Sequence, residues 1–153
     1  TLSKPDAIFL KKLSGCSCKV LNCTIPTHVS EQVSKLSGQE RERKYITCCC
    51  RLSPEKGVHR FVDLIEELNS FLKEKNITPF LCGSRSNPEY ANEAISKLKR
   101  VAPSAVIKEF ISPVELCALY SESVLNVHPC NYDAYGLTMA EAAAFGTPSV
   151  IDG

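Results

Sequence analysis

The chain has 153 residues, of which 44% are hydrophobic and 23% charged, and its 18 Lys and Arg against 17 Asp and Glu leave a net charge of +1. A chain of this length can form a core without disulfides or metals, and its balanced charge argues against broad electrostatic binding to nucleic acid or acidic membranes. From this balance of charge we expect no nucleic-acid partner. No apolar run reaches the ~18 residues of a membrane span, so we expect no integral membrane segment.

The number and spacing of the cysteines bear on the cellular compartment of the protein. The nine cysteines make up about 6% of the 153 residues, which is below the ~8–10% typical of secreted disulfide scaffolds. We therefore expect a cytoplasmic protein, with peripheral membrane attachment of a full-length protein as an alternative. Cys48, Cys49 and Cys50 lack C-x-x-C spacing, which favours structural thiols over a metal site.

The missing initial Met and the end after an apolar run predict a piece of a longer protein, with apolar surface uncovered on one flank.

In chain order, residues 1–43 are predicted to form a lead-in unit, in which 22–26 ends a β-type run and 37–43 is an exposed, charge-rich connector. From residue 44 onward, short apolar runs alternate with amphipathic helical windows, which is typical of a parallel sheet covered by helices. The predicted strands are 45–50, 79–83, 105–110, 124–128 and 149–151. The sequence therefore predicts a single Rossmann-like α/β domain over 1–153, with the sheet and its helices in 44–153.

Three kinds of helix signal lie between these strands. Apolar residues at helical spacing predict a helix with one buried face, formed by Val58, Phe61, Val62, Ile65, Leu68 and Leu72. Ser86 and Ser112 each stand three residues before a Glu with a Pro near the first helical position, which predicts two capping boxes. An Ala-rich helix within 137–145 ends at a Gly followed shortly by a Pro.

The segment after the first strand carries two cations. In open parallel sheets, ligands bind beyond the carboxyl ends of the strands. Arg51 follows the first predicted strand directly, and Lys56 precedes the next helix. Two cations in this position suit a diphosphate, although solvated loop charges are an equally good interpretation from position alone.

The segment after the fourth strand combines a glycine with two carboxylates. The amides of Gly136, Leu137 and Thr138 would open the following helix and form an anion site. Asp133 and Glu141 flank this turn, and carboxylates suit sugar or ribose hydroxyls. Thr138 and Glu141 also have the spacing of a capping box, in which Glu141 would only accept backbone hydrogen bonds. Chemistry alone leaves both interpretations open.

Other catalytic patterns are weak. No G-x-G-x-x-G follows a predicted strand, and P-loop and G-x-S-x-G patterns are also missing from the sequence. The three histidines, His28, His59 and His128, are scattered along the chain, so we interpret each as a surface or core imidazole rather than a catalytic base.

Taken together, the two loops resemble a known family. The segment Arg51-Leu52-Ser53-Pro54-Glu55-Lys56-Gly57 resembles the G-R-L-x-x-E-K-G element of retaining glycosyltransferases of family 4, the glycogen-synthase-like group 1. The segment D-A-Y-G-L-T-M-A-E-A-A-A-F-G-T-P-S-V, starting at Asp133, resembles that family's E-x-F-G-L-x-x-x-E-A-M-A-x-G-x-P-V block. Their order and the roughly eighty residues between them match the family as well.

The resemblance implies the carboxyl-terminal, donor-binding domain of a GT-B enzyme, which would bind a nucleotide-diphosphate sugar without a metal or other cofactor. Arg51 and Lys56 would neutralise the diphosphate, Glu141 would hold the ribose hydroxyls, and Asp133 would contact the donor sugar. The amides of Gly136, Leu137 and Thr138 would reach the phosphate or sugar. The acceptor site would belong to an amino-terminal domain not included in this sequence, so we expect this chain alone to be inactive.

Four departures from the family pattern and two alternatives accompany this interpretation. Asp133 stands where the family usually has Glu, and Cys50 stands where it usually has Gly. Arg85 replaces the second Gly of a common G-x-G, and Glu109 stands where a Gly is often found after the third strand. A non-catalytic interaction or regulatory domain of the same fold is the first alternative. The second is an unrelated nucleotide-binding module such as a sugar-nucleotide epimerase, which the missing glycine motif disfavours.

Overall fold

Five strands alternate with helices in the computed structural model, which describes residues 4–15, 19–20, 24–36, 39–131, 133 and 135–151. The strands are β1 (Tyr45–Cys49), β2 (Thr78–Cys82), β3 (Val106–Lys108), β4 (Ser123–His128) and β5 (Ser149–Ile151). The helices are α1 (Lys4–Ser14), α2 (Thr27–Leu36), α3 (Val58–Glu74), α4 (Pro88–Val101), α5 (Pro113–Ser121) and α6 (Leu137–Ala144). A 3₁₀ turn, Pro54–Lys56, precedes α3.

The strands form one parallel sheet in the order β3-β2-β1-β4-β5. Successive strands run outward from β1 to β3, and the chain then returns to place β4 on the other side of β1. This reversal makes β1 and β4 neighbours at the topological switch point, where open α/β sheets bind their ligands. The predicted Rossmann-like α/β fold is confirmed.

The main core lies between the sheet and helices α3 and α4. Ile46 and Cys48 of β1 and Leu81 of β2 are fully buried against apolar side chains of the two helices. The predicted apolar face of α3 is confirmed, because Val58, Phe61, Val62, Ile65 and Leu72 are buried. Burial of one such side chain contributes about 1.5–3 kcal/mol. A smaller cluster around Phe80, Cys82 and Leu119 packs α5 against the sheet.

The lead-in unit packs on the domain through α2, which contacts α5 and α6 and buries Val29. Residues 24–26 are neither helix nor strand, and the rest of the predicted β-type end, 22–23, lies outside the described residues. The described part of the connector, 39–43, is exposed except at Arg41, which is intermediate, so its predicted exposure is largely confirmed; residues 37 and 38 lie outside the described residues. Arg43 nevertheless donates hydrogen bonds to the Ser123 carbonyl oxygen (2.7 Å), Thr147 Oγ1 (2.9 Å) and the Phe145 carbonyl oxygen (2.9 Å). These acceptors tie the connector to β4 and α6.

Two details of the predicted elements are wrong. Strand β3 is shorter than predicted, because its pairing with β2 ends at Lys108. Phe110, two residues later, is 79% exposed. The cap of α4 is Asn87 rather than Ser86, since the Asn87 side chain accepts a hydrogen bond from the Tyr90 amide at 3.1 Å. The capping box of α5 is confirmed by reciprocal hydrogen bonds between Ser112 and Glu115.

Apolar surface is exposed beside the last strand, as the sequence predicted. Val150 and Ile151 are 49% and 56% exposed, and they line a groove of about 200 Å³ together with Leu64 and Val127. Within the described ranges, no helix has the length and apolar character needed to cross a membrane.

The capping correction gives a test of stability. Asn87→Ala should lower the free energy of unfolding by about 1 kcal/mol, because it removes the acceptor of an otherwise unpaired amide at the start of α4. Ser86→Ala, the matched control one residue earlier, should change it by less than ~0.5 kcal/mol. Chemical denaturation of the two variants decides between them, and a larger loss for Ser86→Ala would restore the capping box expected from the sequence.

Candidate functional site

The loops that follow β1 and β4 meet at the carboxyl edge of the sheet. The first loop is anchored by Leu52, which is buried, donates its amide to the Ser84 carbonyl oxygen (2.8 Å) and accepts the Asn87 amide (3.3 Å). Gly57 ends this loop with φ 64°, and a Cβ atom there would clash with the Pro129 carbonyl oxygen of the second loop. Glycine therefore permits the direct backbone contact between the two loops.

Lys56 connects the loops through its side chain. Its Nζ lies 3.2 Å from Asp133 Oδ2 and 3.4 Å from Cys130 Sγ, and the side chain is only 15% exposed. Burial lowers the pKa of Lys56, but the hydrogen bonds and charges of Asp133 and Cys130 outweigh burial, so the pKa is raised overall. Lys56 is thus a fixed positive charge between β1 and β4.

Asp133 is the centre of the second loop. Its Oδ1 accepts hydrogen bonds from the amides of Tyr135 (3.2 Å) and Gly136 (3.0 Å), while Oδ2 faces Lys56. Burial raises the pKa of Asp133, but the Gly136 and Tyr135 amides and Lys56 together lower it to about 2. The carboxylate is therefore ionised at neutral pH and is fully engaged by neighbours.

His128, which the sequence alone predicts to be an ordinary surface or core imidazole, completes this cluster. His128 is the last residue of β4 and is 5% exposed. Its Nδ1 lies 3.2 Å from Thr138 Oγ1, and its Nε2 lies 3.4 Å from Asp133 Oδ2. The Nε2 contact has ion-pair distance without hydrogen-bond geometry, so this buried atom lacks a hydrogen-bond partner among the described residues. Burial lowers the pKa of His128, with Asp133 opposing that effect and Lys56 adding to it. Its position at a strand end beside the loop is the signal that could have identified it.

The start of α6 settles one alternative left open by the sequence. The helix begins at Leu137 with Gly136 as its N-cap, at φ 69° and without a side-chain cap hydrogen bond. Thr138 and Glu141 therefore do not form a capping box. The amides of Leu137 and Thr138 have no acceptor within the helix, because the first amides of any helix lack one, and the next two donate to the Gly136 carbonyl oxygen.

The structure does not bring all predicted site residues together. Arg51 lies at the same edge, but its side chain is 61% exposed and is 4.0 Å from Glu55 Oε1. Glu141 lies one turn into α6 and is half-buried; burial raises its pKa, and His28 opposes that effect. In the described part of the chain, no hydrogen bond or ion pair joins either residue to Lys56 or Asp133.

Two cysteines border the cluster. The pKa of Cys50 is lowered chiefly by its contact with Cys48 (Sγ to Sγ 3.7 Å), with burial opposing and the charge of Lys56 adding to the effect. Cys130 is buried beside Lys56. The ligand atoms of His128, Cys130 and Asp133 lie within 4.8 Å of one another, and this donor set could hold Zn²⁺. The Lys56 amine contacts two of the three groups, so a metal ion there would have to displace it.

A cavity of about 320 Å³ lies at the opposite, amino edge of the sheet. It is lined by Arg41, Arg43, Val33, Phe145 and neighbouring residues. The Arg43 guanidinium is already paired with backbone and side-chain acceptors. The cavity is therefore separate from the cluster around Lys56 and Asp133.

Comparisons with known proteins identify a matching family and similar sequences. The sequence pattern of the family described as "Glycosyl transferases group 1" matches residues 30–152. The chain is 27% identical over 124 residues to a D-inositol 3-phosphate glycosyltransferase of Corynebacterium efficiens. The match covers 79% of this chain and 29% of that protein. The chain thus spans less than a third of the length of this relative.

Solved structures share the fold. The chain is similar to a UDP-forming α,α-trehalose-phosphate synthase of Burkholderia xenovorans, with a TM-score of 0.66 and 15% identity over 84% of this chain and 34% of that chain. It is also similar to the pneumococcal O-GlcNAc transferase in complex with UDP and GlcNAc, with a TM-score of 0.65 and 17% identity over 97% and 28% of the two chains. The domain therefore has the GT-B type of Rossmann-like fold.

The depressed pKa of Asp133 gives a test of the cluster. The folded pKa of about 2 lies below the ordinary value of 3.8, so the ionised carboxylate stabilises the fold above pH ~4, and this contribution is lost as the pH falls through 2. Asp133→Asn should reduce the free energy of unfolding at pH 7 by on the order of 1 kcal/mol, allowing for solvent screening. The difference from the wild type should shrink between pH 4 and pH 2. Denaturation at several pH values measures it, and a difference independent of pH would contradict the ion pair.

Proposed function

The chain belongs to the glycosyl transferases group 1 family, and on that premise we propose that it binds the nucleotide-diphosphate sugar donor of a glycosyl transfer reaction. The observation that carries the proposal is the Lys56 amine, held between the loops that follow β1 and β4 and beside the start of α6. A partly buried ammonium at the switch point of an α/β sheet is suited to a phosphate group.

The proposed roles follow the direction in which charge develops during transfer. When the bond between the anomeric carbon and the diphosphate breaks, negative charge grows on the phosphate oxygens of the leaving group. Lys56 and the amides of Leu137 and Thr138, which have no acceptor within α6, stabilise that charge, and Arg51 reaches it from the exposed rim. This arrangement neutralises the diphosphate without a metal, and transfer retains the configuration of the anomeric carbon, as in the enzymes whose motifs the loops resemble.

The remaining site residues hold the two ends of the donor. Glu141 accepts hydrogen bonds from the nucleoside ribose; its half-buried carboxylate, with no hydrogen bond within the described chain, supports this role. The loop that contains Asp133 and Gly136 borders the sugar and its phosphate. The UDP-forming synthase and the UDP complex of the pneumococcal transferase make UDP the first nucleotide to test.

The acceptor is assigned to a second domain that faces this edge of the sheet. The similar proteins are about three times longer than the part this chain matches, which leaves room for that domain. The chain by itself therefore binds donor weakly and transfers no sugar.

The ribose role of Glu141 is tested by Glu141→Gln. The variant should bind UDP, or whichever of UDP, GDP and ADP binds the wild type, about 1.5–3 kcal/mol more weakly, the range for hydrogen bonds to a charged group. Its melting temperature should barely change, because no hydrogen bond of the fold is lost. Titration calorimetry measures the affinity, and Glu67→Gln on the exposed face of α3 is the matched control. Equal affinity in wild type and Glu141→Gln would exclude ribose binding.

The diphosphate role of Arg51 is tested by comparing two ligands. Arg51→Ala should weaken binding of the nucleoside diphosphate by about tenfold, since a charged phosphate contact is lost, while affinity for the bare nucleoside changes much less. Arg100→Ala, an exposed arginine at the end of α4, should alter neither. Equal losses for diphosphate and nucleoside would show that Arg51 does not contact phosphate.

A further inference from the structure

We propose that Asp133 is the internal counter-anion of the phosphate pocket, and that it sets the affinity for the donor by competing with the donor phosphate for Lys56. This inference rests on the proposed function of the same site. It gives Asp133 a role different from the sugar contact that the family resemblance implies.

Among the described residues, the Asp133 carboxylate contacts two backbone amides, one ammonium and one imidazole. The Tyr135 and Gly136 amides donate to Oδ1, and Lys56 Nζ lies 3.2 Å from Oδ2. His128 Nε2 faces Oδ2 from the buried side at 3.4 Å. An ammonium and consecutive amides before a helix are also the donors that bind a phosphate oxygen. The carboxylate thus already occupies the kind of surroundings that the ligand needs.

The replacement of Glu by Asp explains how the carboxylate is held there. An Asp side chain is short enough to accept hydrogen bonds from the amides two and three residues later, as in an Asx turn. Oδ1 of Asp133 does this with Tyr135 and Gly136. This turn directs Oδ2 toward Lys56, and His128, which is fixed by Thr138, lies behind it. The carboxylate is consequently turned toward the phosphate side of the loop and is not left free for a sugar hydroxyl.

Competition follows from the charges. The pair of Lys56 and Asp133 is close to neutral as a unit, so a diphosphate gains less from Lys56 than it would from an unpaired ammonium. A phosphate that approaches Lys56 also meets a carboxylate already paired with that amine, and like charges repel. The amides of Leu137 and Thr138 remain available, so the ligand can bind and then draw Lys56 away from Asp133.

Asp133→Asn separates the two functions of the carboxylate. The Asn carbonyl oxygen can still accept the Tyr135 and Gly136 amides, which preserves the turn, but its amide group cannot pair with Lys56. We expect the variant to bind UDP about tenfold more tightly than the wild type in titration calorimetry, a change that corresponds to ~1.4 kcal/mol. Asp133→Ser, whose hydroxyl can cap the same turn, provides a second variant that should also bind more tightly.

A double-mutant cycle shows whether Lys56 transmits the effect. In a Lys56→Met background, Asp133→Asn should give no gain, because there is no ammonium to release. Asp63→Asn, which removes a carboxylate paired with Lys97 on the outer surface of α3, is the matched control and should leave UDP affinity unchanged. A purely structural role of Asp133 cannot produce a gain in affinity that depends on Lys56.

The outcomes distinguish this inference from the proposed function. If the wild type binds UDP, GDP or ADP and neither Asp133 variant binds that nucleotide more tightly, the competition is excluded. If Asp133→Asn weakens binding of UDP-glucose but leaves UDP unchanged, Asp133 is a sugar contact and the inference is wrong. If neither wild type nor variants bind any of the three diphosphates, the proposed function fails and this inference fails with it.

Discussion

The ion pair between Lys56 and Asp133 is the interaction on which the site depends. It joins two loops that are 77 residues apart in sequence, with 3.2 Å between Nζ and Oδ2. Around it, Cys130 contacts Lys56, His128 faces Asp133, and the amides before α6 fold back onto the carboxylate. Removing either charge would leave the other partly buried without its partner, which is costly.

The sheet order brings these loops together. Because β4 returns to pair with β1 after the chain has built β2 and β3, the carboxyl ends of β1 and β4 lie side by side. Gly57 then allows the backbone of one loop to touch Pro129 of the other. The fold thus positions a cation and a helix start at one point, where we propose that this chain binds the donor diphosphate.

Much of this arrangement could be predicted from the sequence, because it depends on local patterns. Apolar periodicity and strand alternation predict the sheet and α3. The positions of Lys56 and Gly136, each between a predicted strand and the helix that follows it, indicate the loops that meet. The carboxylate network could not be predicted, since it depends on which way side chains turn: His128 contacts both Thr138 and Asp133, and Asp133 turns inward. The cap of α4 was misplaced because Ser86 and Asn87 are both capping residues, and only the backbone geometry decides between them.

The most direct measurement of the central claim is the change in backbone amide chemical shifts when UDP, GDP or ADP is added to the isotopically labelled chain. If the two loops form one diphosphate site, the largest changes should fall on the segment from Arg51 to Gly57 and on Gly136, Leu137 and Thr138, and they should saturate together. Changes concentrated around Arg41 and Arg43 at the amino edge of the sheet, or no changes with millimolar concentrations of all three nucleotides, would contradict the claim.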